Sequence, residues 1–291
     1  MMTTNDEAAR RAYWAEQMEA GYDVVERTLA VEVRECGEPL ASIPVEAAEA
    51  GVEMRFSTTK VAGTLDRLFV IRRGLVPGLL AAAREMNERG WILKIEDGYR
   101  TLEMQAELGR KPEVFDAILA KCVWECGGVL PPVELVFRRA AVLVANLPKV
   151  GTHMSASAID VSVFRRDDGT EVWRGDPYLT MSERTPMRSP FVEPEALEQR
   201  LAIAAILEAH GFVHFPYEFW HFNQGDALGN LLGGVRRAAR YGPVHWDRSA
   251  NRVTACDDPL RPLNPLHVFE REINAARERA ARRLHGGHVP G

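Results

Sequence analysis

The sequence predicts an α+β fold in which a small, largely antiparallel sheet is flanked by helices. After residue 55, helical and strand-like patterns follow one another irregularly, without the strict βαβα order that indicates a parallel sheet. The 291 residues are 46% hydrophobic and 26% charged, which is ordinary for a globular protein. A chain of this length suits one domain with additions or two small domains.

The first part of the chain is predicted to be helical and then irregular. Residues 1–20 have the pattern of a polar helix with one apolar side, whereas glycine and proline interrupt the short apolar stretches of residues 29–52. Apolar side chains recur every three to four residues over 75–89, which predicts a helix that Gly90 ends. Residues 91–100 alternate with a period of two, as in a strand.

The centre of the chain is predicted to contain three helices and a second strand. Thr101 is a suitable N-cap for a helix that runs through Leu108. Two further helices are predicted over 112–126 and 132–146, each opening near a proline. A turn rich in glycine, threonine and serine then leads into a strand over 158–164.

The last part of the chain combines a long loop with two helices. Residues 165–194 are rich in Gly, Asp and Pro, and structureless loops of this length are often functional. A helix is predicted over 195–210, and the aromatic segment 212–222 is strand-like. A helix rich in arginine and alanine is predicted over 266–284, followed by a loose end.

Charge and hydropathy argue against several functional classes. Thirty-six basic and 41 acidic residues give a net charge of −5, which does not suit a nucleic-acid-binding protein or a polybasic membrane surface. No apolar run approaches the roughly 18 residues of a membrane span. The first residues lack the hydrophobic segment of an export signal, so we expect a cytoplasmic protein without membrane contact. The four cysteines are too scattered for a disulfide framework.

One group of polar residues lies at the start of the strand over 158–164. His153 is in the preceding turn, and Asp160 lies inside the strand between Ile159 and Val161. A carboxylate in so apolar a strand is costly unless it is paired, hydrogen-bonded or bound to a cation. Taken alone, His153 is explained as a turn residue, and Asp160 is either a structural hydrogen-bond acceptor or a metal ligand.

Two further segments carry polar side chains in unusual places. Glu218 and His221 are three residues apart in an aromatic run, so in a regular strand they would face opposite sides. They serve one site only if the chain bends between them; otherwise they belong to a half-exposed edge strand. Asp97 and Arg100 lie at a junction of strand and helix, where side chains often project into a cleft. A simple surface ion pair is the alternative there.

Together, the three segments contain the groups needed for metal-assisted hydrolysis. Two histidines and one aspartate form a donor set that suits Zn²⁺ and leaves a fourth position open for water. A second carboxylate can act as general base and acid, and an arginine can stabilise an oxyanion. The residues concerned are His153, Asp160, His221, Glu218 and Arg100.

These segments resemble the M15 metallopeptidases, the family of D-Ala-D-Ala dipeptidases and carboxypeptidases. The pattern of that family is DGYR, then S-x-H-x-x-G-x-A-x-D, then E-x-W-H-F. Here DGYR is intact at 97–100, EFWHF is at 218–222, and His153, Ala158 and Asp160 keep their offsets.

The resemblance implies an M15 and hedgehog-like zinc peptidase fold with one zinc ion per chain. It implies that His153, Asp160 and His221 bind the zinc, that Glu218 is the catalytic base, and that Arg100 stabilises the transition state. The likeness covers about residues 56–245, the predicted catalytic domain. Residues 1–55 form a predicted N-terminal extension, and residues 246–291 a C-terminal extension with a helix.

The sequence departs from the family pattern at two positions. Gly151 replaces the serine two places before the first histidine, and Ala156 replaces the glycine three places after it. The family's serine lies close to the substrate, and we expect Thr152 to take its place. We also expect Asp97 and Tyr99, in the DGYR stretch, to contribute to substrate binding.

We therefore expect zinc-dependent hydrolysis of a small D-amino-acid peptide, with D-Ala-D-Ala as the first choice of substrate. The alternatives are a D,D- or L,D-carboxypeptidase that trims muropeptides of the cell wall, and a non-catalytic zinc-containing binding module. An ordered loop at 165–194 over the metal would favour the dipeptide, because it would leave little room. Retention of both Glu218 and Arg100 argues against the binding module.

Overall fold

The computed structural model describes the backbone of residues 4–285 and the side chains of residues 6–282. Residues 286–291, most of the predicted loose end, lie outside this range. In chain order the helices and strands are α1 (Thr4–Ala30), β1 (Leu40–Ser42), α2 (Ile43–Glu49), β2 (Met54–Phe56), β3 (Val70–Arg72), α3 (Val76–Glu88), β4 (Trp91–Asp97), α4 (Leu102–Leu108), α5 (Pro112–Glu125), α6 (Val133–Leu143), β5 (Ala158–Arg165), α7 (Pro194–Ala209), β6 (Val213–His214), β7 (His221–Asn223), α8 (Ala227–Leu232), β8 (Val244–Asp247), β9 (Arg252–Ala255) and α9 (Leu266–His285).

A five-stranded sheet with the order β2-β4-β5-β7-β6 forms the centre of the fold. β2 pairs with β4 in parallel, and the other three pairings are antiparallel. The predicted α+β fold with a small, largely antiparallel sheet is therefore confirmed. Two small antiparallel pairs, β1 with β3 and β8 with β9, lie outside this sheet.

One face of the sheet is covered by α3 and α7. Leu79, Ala83 and Met86 of α3 share one helix face by their spacing and are fully buried. They join a core cluster with Ile95 of β4 and Val161 of β5. Because side chains alternate along a strand, Asp160 and its second neighbours lie on the opposite face.

A helical layer forms the second core. Helices α1, α5, α6 and α9 share a cluster of buried apolar side chains that includes Trp14, Phe115, Val136 and Phe269. Both predicted extensions therefore contribute helices to the packing around residues 112–143, although the division of the chain at 55 and 245 stays a prediction. Among the described helices, none is long and apolar enough to cross a membrane.

The N-terminal helix ends ten residues later than the sequence pattern indicated. The predicted helix covered residues 1–20, but α1 continues through Gly21 to Ala30. A Cβ atom on Gly21 would lie 2.8 Å from Val142 Cγ1 of α6. The glycine permits the two helices to approach closely, at a cost in helix propensity of about 1 kcal/mol.

Two other segments also differ from the predictions. Residues 29–52 were expected to be irregular, but they contain β1 and α2, and Pro44 stands in the first turn of α2, where a proline is tolerated. The aromatic segment 212–222 is not one strand: β6 and β7 pair through His214 and Phe222 around a connecting turn.

Two buried arginines order the long loop of residues 166–193. Arg174 donates to the carbonyl of Val161 at 2.9 Å and to the hydroxyl of Ser162 at 3.0 Å. Arg200 of α7 donates to the carbonyls of Arg174 at 2.6 Å and Pro186 at 2.8 Å. Arg174 thus attaches the loop to β5, and Arg200 donates to loop carbonyls that have no partner in a regular helix or strand.

Replacing Arg200 should destabilise the protein, because the loop carbonyls would lose buried donors. We expect Arg200→Met to lower the free energy of unfolding by about 2–4 kcal/mol, measured by urea denaturation. Arg188→Met is the matched control, since Arg188 is exposed on the same loop. Equal stability of the two variants would show that the Arg200 contacts do not hold the loop.

Candidate metal centre and active site

His153, Asp160 and His221 converge at one point, as the sequence predicted for the ligand set. One ligand atom from each lies within 4.8 Å of the others, and all three side chains are buried. Because nitrogen and carboxylate donors at this spacing surround a single position, the cluster can hold one metal ion.

Strand register brings two of the three ligands together. Asp160 of β5 is paired directly with His221 of β7 in the antiparallel ladder. Residues directly opposite each other in such a pair project to the same face of the sheet, with Cβ atoms about 5 Å apart. Asp97 of β4 pairs with Asp160 on its other side, after a register shift past Ile95. The three polar side chains therefore form a row across the middle of the sheet.

A tight turn before β5 supplies the third ligand. His153 lies in a 3-10 turn over Thr152–Ser155, which Ala156 ends with a left-handed conformation at φ +54°. The M15 pattern has glycine at this position, and glycine is the residue that adopts positive φ without strain. Ala156 keeps the backbone turn at a steric cost of about 1 kcal/mol, and His153 still reaches the cluster.

The ring of His153 is held by a main-chain acceptor. Its Nδ1 donates to the carbonyl of Gly98 at 2.6 Å, and its Nε2 lies 3.2 Å from Asp160 Oδ1. The donated proton fixes the tautomer that leaves Nε2 with a free lone pair. A Cβ atom on Gly98 would lie 2.8 Å from the carbonyl oxygen of Leu68, so only glycine fits at this point of the DGYR stretch.

The ring of His221 is held by a side chain that the sequence assigned to the substrate. His221 Nδ1 lies 2.9 Å from Asp160 Oδ1, and Nε2 lies 2.8 Å from the hydroxyl oxygen of Thr152. With Nδ1 free for a metal, Nε2–H donates to Thr152. The hydroxyl of Thr152 therefore positions a ligand, although Thr152 also lines the cavity described below.

The charge states of the cluster suit a metal. Burial alone would raise the pKa of Asp160, but the charge and hydrogen bonds of His153 and His221 outweigh it and hold that pKa well below its usual range. Burial lowers the pKa of the His221 imidazole, which favours the neutral ring. An ionised carboxylate and a neutral imidazole are the ligating forms.

Glu218 lies beside the cluster without belonging to it. The turn of residues 215–220 provides the bend that the sequence required between Glu218 and His221. Glu218 Oε2 is 4.0 Å from His221 Nδ1, beyond hydrogen-bond distance. Burial and the negative charge of Asp160 raise the pKa of Glu218 well above its usual range, while Arg100 and a hydrogen bond with Trp220 oppose the shift. A carboxyl group whose pKa is raised in this way can serve as general base and acid.

Arg100 is fixed on the opposite side of the cluster. Its Nε donates to Asp97 Oδ2 at 2.8 Å, its Nη1 to Gln105 Oε1 at 3.2 Å, and its Nη2 lies 3.5 Å from Asp160 Oδ2. Asp97 and Asp160 raise the pKa of Arg100 against the opposing effect of burial, which keeps the guanidinium charged.

The long loop adds a residue that the sequence analysis missed. The hydroxyl of Tyr178 donates to Asp160 Oδ2 at 2.8 Å. Burial and the charge of Asp160 raise the pKa of Tyr178 well above its usual range, so the phenol remains a donor. The length of the loop predicted a functional role, but no local pattern in it singled out this tyrosine.

Two predicted substrate-binding residues have other partners. Tyr99 is fully buried, donates to the carbonyl of Val244 at 2.8 Å and packs edge-on against Trp246, so it does not face the cavity. Asp97 does line the cavity. However, its carboxylate lies between the guanidinium groups of Arg67, at 3.2 Å, and Arg100.

A cavity of about 510 Å³ joins these groups. Its volume lies in the range of small-molecule sites. The walls come from the sheet, the ends of α5 and α6, the segment 59–67 and the long loop. The polar residues at its base are Asp97, Arg100, Gln105, Thr152, His153, Asp160, Glu218 and His221.

Gly151, which replaces the serine of the family pattern, changes the cavity wall. A Cβ atom on Gly151 would lie 2.1 Å from Met154 Cε, so the Met154 side chain fills the space that a larger residue at 151 would need. Met154 is fully buried. No hydroxyl is presented from position 151, and that of Thr152 is engaged with His221.

Comparisons with known proteins agree with this site. A family model described as D-Ala-D-Ala dipeptidase, peptidase M15, matches residues 136–240. A D-alanyl-D-alanine dipeptidase of Synechocystis sp. is 27% identical over 219 residues, which is 69% of this chain and 87% of that protein. A D-alanyl-D-alanine dipeptidase of Escherichia coli is 32% identical over 84 residues, 29% of this chain and 43% of that protein.

Among solved structures, one similar chain is the zinc-bound vancomycin-resistance D,D-pentapeptidase VanY. It is 17% identical, with a TM-score of 0.34, over 68% of this chain and 87% of that chain. The family model spans the segment that contains His153, Asp160, Glu218 and His221. That match and both dipeptidase relatives agree with the site, so the chain is similar to D-Ala-D-Ala dipeptidases of the M15 peptidase family.

Proposed function

We propose that the protein is a zinc-dependent dipeptidase that hydrolyses D-Ala-D-Ala. The observation that carries the proposal is the convergence of a three-ligand cluster, a buried carboxyl group and a fixed guanidinium in one cavity. The relatives from Synechocystis and Escherichia coli are both named D-alanyl-D-alanine dipeptidases, which supports this substrate.

The donor set fits zinc. His153 Nε2, Asp160 and His221 Nδ1 would hold the ion, since the remaining nitrogen of each ring is hydrogen-bonded to Gly98 or Thr152. Zinc bound by three protein ligands acts as a Lewis acid and lowers the pKa of water to about 7. Hydrogen bonds to the outer nitrogens orient the rings before the metal arrives.

Glu218 is the proposed general base and acid. Its carboxyl group is buried beside the ligands, so few water molecules from bulk solvent can exchange protons with it. It accepts the proton of the attacking water and then donates it to the departing amine, which leaves Glu218 unchanged after each turnover. A carboxyl group with a raised pKa suits both transfers.

Arg100 is the proposed stabiliser of the oxyanion. The carbonyl oxygen of the peptide gains negative charge as the tetrahedral state forms, so a nearby guanidinium gains interaction along the reaction. Asp97 and Gln105 hold the Arg100 side chain in place, and little reorganisation is needed during the reaction.

The long loop favours a small substrate over a cell-wall polymer. Tyr178, Leu179, Met181 and Thr185 from this loop line the cavity. The loop thus forms one wall of the site and reaches Asp160 through Tyr178, which supports a dipeptidase rather than a muropeptide carboxypeptidase. A non-catalytic binding module would need neither Glu218 nor Arg100 beside the metal.

Release of free D-Ala from D-Ala-D-Ala, and separately from a muropeptide that ends in D-Ala-D-Ala, tests the proposal. We expect turnover of the dipeptide and little of the longer peptide. Glu218→Gln should retain zinc while kcat falls by about 10²–10⁴-fold or more, because the variant lacks the base. Faster hydrolysis of the muropeptide would assign the protein to the carboxypeptidases, and zinc loss from Glu218→Gln would make Glu218 a ligand.

Removing a ligand should remove the metal. We expect about one zinc ion per purified chain, and little or none in His153→Ala and His221→Ala, by elemental analysis after dialysis. His214→Ala is the matched control, because His214 pairs with Glu208 at the surface, away from the cluster. Full zinc content in both ligand variants would place the metal elsewhere.

Thr152 should affect metal affinity through His221. Thr152→Val keeps the shape of the side chain but removes the acceptor for Nε2–H. We therefore expect zinc affinity, measured by chelator competition, to fall by about 10- to 100-fold, as is typical when a hydrogen-bond partner of a metal ligand is lost. Thr152→Ser restores the hydroxyl and should bind zinc as the wild type does. If Val and Ser variants bind equally well, the hydrogen bond does not position His221.

A further inference from the structure

We propose that Arg67 binds the terminal carboxylate of the substrate, an inference that rests on the proposed peptidase function. Arg67 lines the cavity, and its side chain is only 6% exposed. Its Nη1 lies 3.2 Å from Asp97 Oδ2, the same oxygen that accepts from Arg100 Nε at 2.8 Å. Two buried guanidinium groups therefore share one carboxylate.

The two arginines differ in their contacts with the metal ligands. Arg100 reaches to 3.5 Å from Asp160, whereas the contacts of Arg67 are with Thr59 and Asp97. In a dipeptide the carboxylate follows the scissile carbonyl by one residue, about 3.3–3.6 Å along an extended chain. Arg67 contacts Asp97 rather than a metal ligand, so its charge is placed to meet that carboxylate.

The guanidinium of Arg67 is held in place with capacity to spare. Nε donates to the carbonyl of Thr59 at 2.6 Å, and Nη2 lies 3.4 Å from the Thr59 hydroxyl. Together with the Asp97 contact, these interactions use three of five N–H groups. Among the described residues, one N–H on each terminal nitrogen of Arg67 has no hydrogen-bond partner. A carboxylate can accept from such a pair of N–H groups in bidentate fashion.

The charge of the cavity also calls for an anion. Lys60, Arg67 and Arg100 bring three positive charges, and Asp97, Glu113, Asp160 and Glu218 bring four negative charges when ionised. A divalent metal leaves an excess of one positive charge in a buried space. A substrate carboxylate neutralises this excess, whereas an amide or ester cannot.

Comparing D-Ala-D-Ala with D-Ala-D-alaninamide isolates the contribution of Arg67. The wild type should hydrolyse the acid with a much higher kcat/KM than the amide. In Arg67→Gln, kcat/KM for the acid should fall roughly 10- to 100-fold, mainly through KM, as expected for loss of a charged hydrogen-bond partner. The value for the amide should change little, and Arg67→Lys should recover part of the loss.

A structural role for Arg67 predicts a different result. If Arg67 only supports Asp97, Arg67→Gln should lower kcat/KM equally for the acid and the amide. An unchanged ratio of the two kcat/KM values would overturn the proposal. Arg73→Gln is the matched control, because Arg73 is exposed six residues further along the chain. It should leave both values unchanged.

Equilibrium binding separates this inference from the proposed function. Calorimetry with Glu218→Gln and zinc should show binding of D-Ala-D-Ala that weakens roughly 10- to 100-fold when Arg67→Gln is added. Binding that needs Arg67 in a protein without dipeptidase activity would keep the inference and reject the proposed function. Equal affinity for acid and amide would reject the inference, whether or not the protein is active.

Discussion

The carboxylate of Asp160 lies in the buried part of β5, where an unpaired negative charge would be costly. Four side chains surround it: one oxygen faces His153 and His221, and the other faces Tyr178 and Arg100. These residues come from the turn before β5, from β7, from the long loop and from the end of β4. The need to pair one carboxylate therefore brings the separate parts of the site to the same place.

The rest of the fold holds these partners still. Arg174 and Arg200 both lie over the Phe219 ring, at 4.9 and 4.0 Å from its centre, so the loop that carries Tyr178 is tied to the turn that carries Glu218. From the other direction, Glu183 of the same loop contacts Arg10 of α1 and Lys121 of α5. The N-terminal helix thus stabilises a wall of the cavity, although no residue of it belongs to the catalytic groups.

The sequence was informative where the chemistry is local and uninformative where it depends on distant contacts. The strand around Asp160 and the cap at Thr101 follow from side-chain type and spacing, and the structure contains both. The donor chemistry and the family resemblance singled out His153, Asp160 and His221, and these three side chains lie together in the structure. Thr152 and Tyr178 could not be assigned in this way, because their roles come from contacts with residues 69 and 18 positions away. The predicted end of the first helix at residue 20 was wrong for the same reason, because the small size of Gly21 serves its contact with α6, which the local pattern cannot show.

The DGYR stretch of residues 97–100 shows how one short segment can serve both structure and chemistry. Gly98 offers its carbonyl to His153, Tyr99 secures the β8 strand, and Asp97 orients Arg100. Asp97 is unsuited to contact a substrate carboxylate itself, since like charges would repel at close range. Its effect on the substrate is indirect: one buried anion holds two cations in fixed positions, one beside the metal ligands and one further away. The shared Asp97 carboxylate keeps the two guanidinium groups at fixed positions. This arrangement can therefore recognise both the developing charge on the scissile carbonyl and a permanent charge one residue along the substrate.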